Sequence, residues 1–180
     1  MEVLLSFCLV VFFLALSPGP DNIYVLSISI FEGFKYALFT ILGLMTGCLI
    51  HTLLLSLGFS IIINKNDTLF YIIKSLGGFY LLFLAYKVYI NNNDVLLAEI
   101  KTERNLYKYY SRGITMNLLN PKVSLFFLAL FPTFLFTNSL STEIQFIILG
   151  SIFVIISFFV FSIIALLSSY FRNFLITNPK

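Results

Sequence analysis

A proline-rich break interrupts an apolar run near the start of the chain, and it reads Ser17-Pro18-Gly19-Pro20-Asp21. The flanking residues 3–16 and 22–31 are almost all apolar, so without the break they would form one membrane-crossing helix. Each proline removes a backbone N–H donor, which frees the carbonyls of Leu14 and Leu16. Irregular backbone at membrane depth is tolerated only inside protein or beside a wet cavity. Since the break also carries a carboxylate, it predicts a solute pathway.

The composition indicates an integral membrane protein. Of the 180 residues, 59% are hydrophobic and only 11% are charged, with a mean hydropathy of +1.00. An average soluble domain is about 25% charged, so this chain cannot cover a surface that faces water. The net charge of +3 is small and does not indicate nucleic-acid binding.

Cofactor chemistry and catalysis are not expected from this sequence. Cys8 and Cys48 are far apart, and the single histidine, His51, completes no metal-binding spacing with them. Glycine-rich phosphate loops and zinc-protease motifs are also missing from the sequence. We therefore expect no metal, no other cofactor and no enzymatic activity.

Five apolar segments each reach the roughly 20 residues that a bilayer requires. They predict an all-α, polytopic membrane helical bundle, with segments at 3–31 (broken), 36–63, 69–90, 113–136 (also broken) and 144–171. Only the connection at 91–112 is long. Positive charge gives the orientation, because the side with this connection would carry eight Lys and Arg residues and the other side two. The loop 91–112 is therefore predicted to be cytoplasmic and the N-terminus outside.

A second break, Asn120-Pro121-Lys122, lies inside the fourth apolar segment. Pro121 frees the carbonyl of Asn117. Polar or small residues precede and follow it at spacings of 4, 3 and 4, which is one helix face: Gly113, Asn117, Asn120 and Ser124. We expect Lys122 to lie deep in the membrane. The alternative is that its side chain reaches the interface from a helix that starts late.

Paired broken helices mark a binding site near the membrane midplane in many transporters. The start of the second half-helix and Lys122 would suit a carboxylate, while Asp21 and the freed carbonyls would suit an ammonium group or a proton. Asp21 and Lys122 could pair in the empty site and separate around a zwitterion, which favours an amino acid as cargo. The candidate substrate-binding residues are Asp21, Asn117, Asn120 and Lys122, beside helix breaks at Pro18, Gly19, Pro20 and Pro121.

The second apolar segment carries small and polar residues on one helical face. Gly43 and Gly47 form a small-xxx-small pair that lets another helix approach closely. This face could pair two copies in a homo-oligomer, or it could be used inside the monomer. His51 lies on the same face, and with Asp21 it could couple transport to protons. A hydrogen-bonded interior histidine explains His51 equally well.

At these motifs the chain resembles the LysE/RhtB family of amino-acid exporters. The matching motifs are 17–22 (SPGPDN), Gly43-x3-Gly47-x3-His51 and the stretch 112–129, which begins Arg112-Gly113 and includes Asn120-Pro121-Lys122. The resemblance implies a small multi-pass exporter in a bacterial cytoplasmic (inner) membrane, driven by an ion gradient. Its implied partners are an amino-acid substrate and the lipid bilayer. We expect alternating access around the two breaks.

The family has six spans, which two inverted three-helix halves would explain, whereas this chain shows five. We interpret residues 1–180 as a single transporter domain. In this interpretation 1–90 form a first half, 91–112 the cytoplasmic loop and 113–171 an incomplete second half. The alternative function is a non-transporting membrane subunit or an inactive, truncated remnant of an exporter, with the breaks kept only as packing kinks.

Overall fold

The computed structural model describes residues 2–59 and 105–177, with ten single positions between 68 and 90. Most of the third predicted segment and residues 91–104 of the long connection lie outside the described residues. The described part is helical and contains no strand. Its α-helices are α1 (Glu2–Leu16), α2 (Pro20–Phe31), α3 (Phe34–Leu54), α4 (Leu106–Leu119), α5 (Pro121–Leu125) and α6 (Thr142–Thr177).

Both predicted helix breaks are present. Pro20 opens α2 after an extended Gly19 (φ −162°, ψ 175°), and α1 and α2 meet at a bend of 57°. Pro121 opens α5 after an extended Asn120 (φ −74°, ψ 109°), and the second broken pair bends by 50°. Proline suits the first position of each new helix, because an N–H at that position has no acceptor within the helix and its absence costs nothing.

Two helices in the described residues are long and apolar enough to cross a membrane by themselves, and the count is four if each broken pair is one span. The single helices are Phe34–Leu57 and Thr142–Arg172, and the broken pairs are α1 with α2 and α4 with residues 121–134. After α5 the chain continues as a π-helical turn (Phe126–Leu130) and a 3₁₀ turn (Phe131–Phe134). The predicted all-α membrane bundle is confirmed.

The structure corrects one boundary of the predicted segments. Helix α4 begins at Leu106, so residues 106–112, which the sequence assigned to the connection 91–112, are helical. The Asn105 side chain accepts a hydrogen bond from the Tyr107 amide at 3.0 Å, which caps the helix. Arg112 in this added turn donates to the Tyr24 hydroxyl at 3.1 Å and so ties α4 to α2.

Helix α3 packs against both α4 and α6. The contact with α4 is a backbone contact, because a Cβ placed on Gly43 would lie 2.1 Å from the Tyr110 carbonyl oxygen. From the other side, a Cβ on Gly113 would lie 2.3 Å from the Thr40 carbonyl oxygen. A Cβ placed on Gly47 would lie 2.6 Å from Oδ1 of the Asn117 side chain. The glycine face of α3 is therefore used inside the monomer.

Two apolar clusters fill the described interior. The first centres on aromatic rings near the π-helical turn, where the Phe127 and Phe131 rings stack with centroids 4.5 Å apart. The second joins α2, α3 and α4 to the later part of α6 through residues such as Ile28, Ile41 and Ala165. Because lipid tails are as apolar as these side chains, close van der Waals packing within the clusters, rather than removal of apolar area from water, stabilises the bundle.

A glutamine holds the segment that precedes α6. Gln145 is 3% exposed, and its Oε1 accepts from the amides of Phe136 (2.8 Å) and Thr137 (3.2 Å). Its Nε2 donates to the carbonyls of Thr137 (2.8 Å) and Leu140 (3.0 Å). One side chain thereby satisfies four backbone groups that no helix or strand pairs.

Candidate functional site

A cavity lies where the two helix breaks meet. It has about 380 Å³ of empty space when the open solvent at its mouth is included. Its walls join both breaks to α3 and α6, and to both apolar clusters. The lining residues are Leu14, Ala15, Gly19, Asp21, Asn22, Cys48, Asn117, Asn120, Lys122, Val123, Phe153, Ser157 and Phe161.

Asp21 supplies the acidic group of the cavity. Its side chain is only 5% exposed, in the first turn of α2, where the helix dipole favours a negative charge. Its Oδ1 atom has no hydrogen-bond partner. The carboxylate interacts with the Asn120 side chain and is attracted by the Lys122 ammonium.

Lys122 supplies the basic group, and it reaches from the second break into the first. Its Nζ donates to the carbonyl oxygens of Leu14 and Ser17, both at 2.8 Å. The sequence correctly indicated that Pro18 leaves the Leu14 carbonyl free. A direct Asp21–Lys122 pair was one possibility for the empty site; in the structure the ammonium donates to these two carbonyls.

Two asparagines complete the polar side of the cavity. Asn117 is 2% exposed and its Nδ2 donates to the Cys48 sulfur at 3.3 Å, whereas its Oδ1 has no partner. Asn120 Oδ1 accepts from the Lys122 amide at 3.0 Å. This bond corrects the expectation that the start of α5 is free for a carboxylate, since Asn120 caps it. Lys122 alone then offers a positive charge there.

His51 does not line the cavity. Its ring stacks on the Phe127 ring with centroids 5.3 Å apart, and its Nε2 atom is buried without a hydrogen-bond partner. It lies three residues after Cys48, which does line the cavity. A role for His51 in proton coupling therefore stays a prediction.

Sequence reasoning missed part of the cavity wall. Asn22 lines it and fixes the first break, because its Nδ2 donates to the Ala15 carbonyl at 2.7 Å. Its place directly after Asp21 in the first motif was the available signal. Helix α6 contributes Phe153, Ser157 and Phe161, which share one helical face at spacings of four. No motif marks them in a segment that reads as uniformly apolar.

Known proteins match this chain along most of its length. Residues 12–180 match the family model described as LysE type translocator. The chain is 31% identical over 137 residues to a homoserine/homoserine lactone efflux protein of Salmonella typhimurium strain LT2, covering 76% of the chain and 66% of that relative, just under two thirds. It is 28% identical over 169 residues to a leucine efflux protein of Salmonella choleraesuis strain SC-B67, covering 93% of the chain and 80% of that relative. No solved structure matches it significantly.

These matches agree with the fold. The relatives are efflux proteins rather than enzymes, and the apolar helices with their breaks suit a multi-pass protein of the bacterial inner membrane. Because the family model covers all but the first 11 residues, the chain belongs to the LysE family of translocators.

Proposed function

We propose that this protein exports amino acids or close derivatives across the cytoplasmic membrane, by alternating access around the cavity and at the expense of an ion gradient. The observation that carries the proposal is the meeting of two broken helices at one cavity, with a carboxylate from one break and an ammonium from the other. The names of the relatives, which include homoserine and leucine, support the substrate class.

A zwitterion complements this arrangement of charges. Asp21 Oδ1 and Asn117 Oδ1 are buried acceptors without partners, and an α-ammonium group offers three donors to such atoms. A substrate α-carboxylate would attract Lys122, whose present acceptors are neutral carbonyls. A hydrogen bond between two charged groups is roughly twice as strong as one between neutral groups. Replacing the carbonyl acceptors of Lys122 by the substrate carboxylate would therefore favour binding.

The breaks also suit a moving site. Each interrupts the helical hydrogen-bond ladder beside the cavity, so the flanking half-helices can change their angle without breaking regular turns. The present angles are 57° and 50°. We propose that these half-helices rock to open the cavity to either side, with the N-terminus outside and the loop 91–112 in the cytoplasm.

Coupling and assembly belong to the same proposal. Asp21 is the candidate proton carrier inside the cavity. His51, which lies about one turn after the cavity-lining Cys48 on α3, is a second candidate proton carrier. The Gly43 and Gly47 face is already packed against α4, so a homo-oligomer would use another surface.

Efflux from vesicles tests the proposal. Purified protein in liposomes loaded with radiolabelled homoserine or leucine should release substrate faster when an ion gradient is imposed than when the gradient is collapsed. Asp21→Asn and Lys122→Met should abolish release while the protein remains folded in the membrane. The exposed groups Glu2 and Lys35 provide matched controls, and Glu2→Gln and Lys35→Met should transport normally.

Two results would contradict the proposal. Wild-type protein that releases no amino acid would instead favour the alternative of a non-transporting subunit or remnant. Normal transport by both Asp21→Asn and Lys122→Met would show that the cavity between the breaks is not the binding site.

A further inference from the structure

Ser157 places a hydroxyl group on the otherwise apolar wall of the cavity. It lies on α6 one turn from Phe153 on one side and one turn from Phe161 on the other, and all three residues line the cavity. The Ser157 side chain is 1% exposed, and its Oγ has no hydrogen-bond partner. A buried hydroxyl without a partner is costly to the fold, so its presence here needs an explanation.

Several other helical hydroxyls avoid that cost by a local bond, while the Ser27 and Ser162 hydroxyls also lack a partner but do not line the cavity. Serine and threonine in a helix commonly donate to the carbonyl four residues earlier. Ser151 does so at 2.8 Å and Ser168 at 2.7 Å on the same helix as Ser157, and Thr52 does so at 2.9 Å on α3. Ser157 makes no such bond, and its hydroxyl stays available at the cavity wall.

The position of Ser157 assigns it to one end of the substrate. Both charged groups of the cavity come from the helix breaks, whereas Ser157 comes from α6 and lies between two aromatic residues. Resting on the proposed function, we infer that Ser157 recognises the side chain of the exported amino acid and selects side chains that carry a hydroxyl group. The α-ammonium and α-carboxylate groups would face the breaks, and the side chain would extend toward α6.

The chemistry of the hydroxyl supports this selection. Ser157 can both donate to and accept from a substrate hydroxyl, while the neighbouring rings contact its methylene groups. A site that bonds a substrate hydroxyl discriminates strongly against an analogue without one, because its own polar group is then left unpaired. One hydrogen bond of about 1.4 kcal/mol corresponds to a tenfold preference.

Homoserine and norvaline form a matched pair of substrates, since they differ only by a hydroxyl in place of a methyl group. We expect wild-type protein in liposomes to transport homoserine with a kcat/KM about tenfold above that of norvaline. Ser157→Ala should bring the homoserine-to-norvaline ratio of kcat/KM close to one, because it slows the transport of homoserine and leaves the transport of norvaline unchanged. Ser151→Ala makes the same change at an exposed site on the same helix and should leave the ratio intact.

The outcomes separate this inference from the proposed function. If the wild type moves neither these substrates nor leucine, the proposed function fails. If it moves leucine but not homoserine, or moves homoserine and norvaline equally well, the role of Ser157 is overturned while the proposed function stands. If the wild type moves both but Ser157→Ala keeps the wild-type ratio, or slows both substrates equally, the role of Ser157 is overturned. Should Ser157→Ala fold poorly, Ser157→Cys gives the same test, because its thiol is similar in size and a weak hydrogen-bond group.

Discussion

Replacing Gly43 by alanine tests the backbone contact between α3 and α4. The added Cβ would lie 2.1 Å from the Tyr110 carbonyl oxygen and 3.0 Å from the Cα of Gly113. Both are backbone atoms, so no side-chain rotation relieves the overlap. The two helices must move apart by about 1.3 Å before the closer pair reaches an ordinary contact of 3.4 Å.

The expected free-energy change follows from two opposing effects. Overpacking of a tight interior site costs about 1–3 kcal/mol, and contact between backbones puts Gly43→Ala at the upper end. Alanine regains about 1 kcal/mol through its higher helix propensity. We therefore expect the free energy of unfolding to fall by about 2 kcal/mol.

Gly78 provides the matched control, because a Cβ there would meet no atom within 4 Å among the described residues. Gly78→Ala should leave the free energy of unfolding unchanged or raise it by up to about 1 kcal/mol. The measurement is reversible unfolding of each variant in mixed detergent micelles, followed by circular dichroism against the mole fraction of dodecyl sulfate. Equal stability of the two variants would show that α3 and α4 do not touch through their backbones.

Three further predictions concern the site and its surroundings. Gly47→Ala should raise the substrate concentration for half-maximal efflux by about tenfold. The added Cβ would lie 2.6 Å from Asn117 Oδ1 and would displace that side chain. Unchanged kinetics would show that Asn117 does not contribute to binding. Gln145→Leu should lower the free energy of unfolding by about 2–4 kcal/mol, since four backbone groups lose their partner, and a change below 1 kcal/mol in the same micelle titration would show that water replaces it. His51→Ala should flatten the pH profile of efflux near neutrality, and a profile that keeps its wild-type shape excludes His51 from coupling.

The helix breaks could be predicted from sequence because their cause is local. A proline lacks its N–H wherever it stands, so Pro18, Pro20 and Pro121 interrupt the ladder whatever surrounds them. The early start of α4 was also marked locally, because Asn105 is a good capping residue. It was missed because the residues that follow it are polar and did not read as part of an apolar span.

The cavity could be predicted only in part, because its far wall depends on packing between distant segments. Charge and helix breaks pointed to Asp21 and Lys122. The carbonyls that Lys122 bonds to lie more than 100 residues earlier in the chain, and only the folded chain shows which acceptors it reaches. Nothing in the sequence separates Ser157 from the other serines of α6, and only the folded chain shows that it both lacks a hydrogen-bond partner and lines the cavity. The π-helical turn at Phe126–Leu130 ends just before Pro132, which stands at the start of the 3₁₀ turn, but the ring packing that surrounds it depends on the folded chain.

A proline usually disrupts a helix because it has no amide N–H. At Pro18 the absence of this N–H leaves a backbone carbonyl free for another group. Any other residue at this position would bring an N–H that competes for the Leu14 carbonyl, the atom that now receives the Lys122 ammonium at 2.8 Å. The imino acid thus reserves an acceptor for a cation 104 positions further along the chain. In proteins that keep this architecture, we therefore expect Pro18 and Lys122 either both to be retained or both to be replaced.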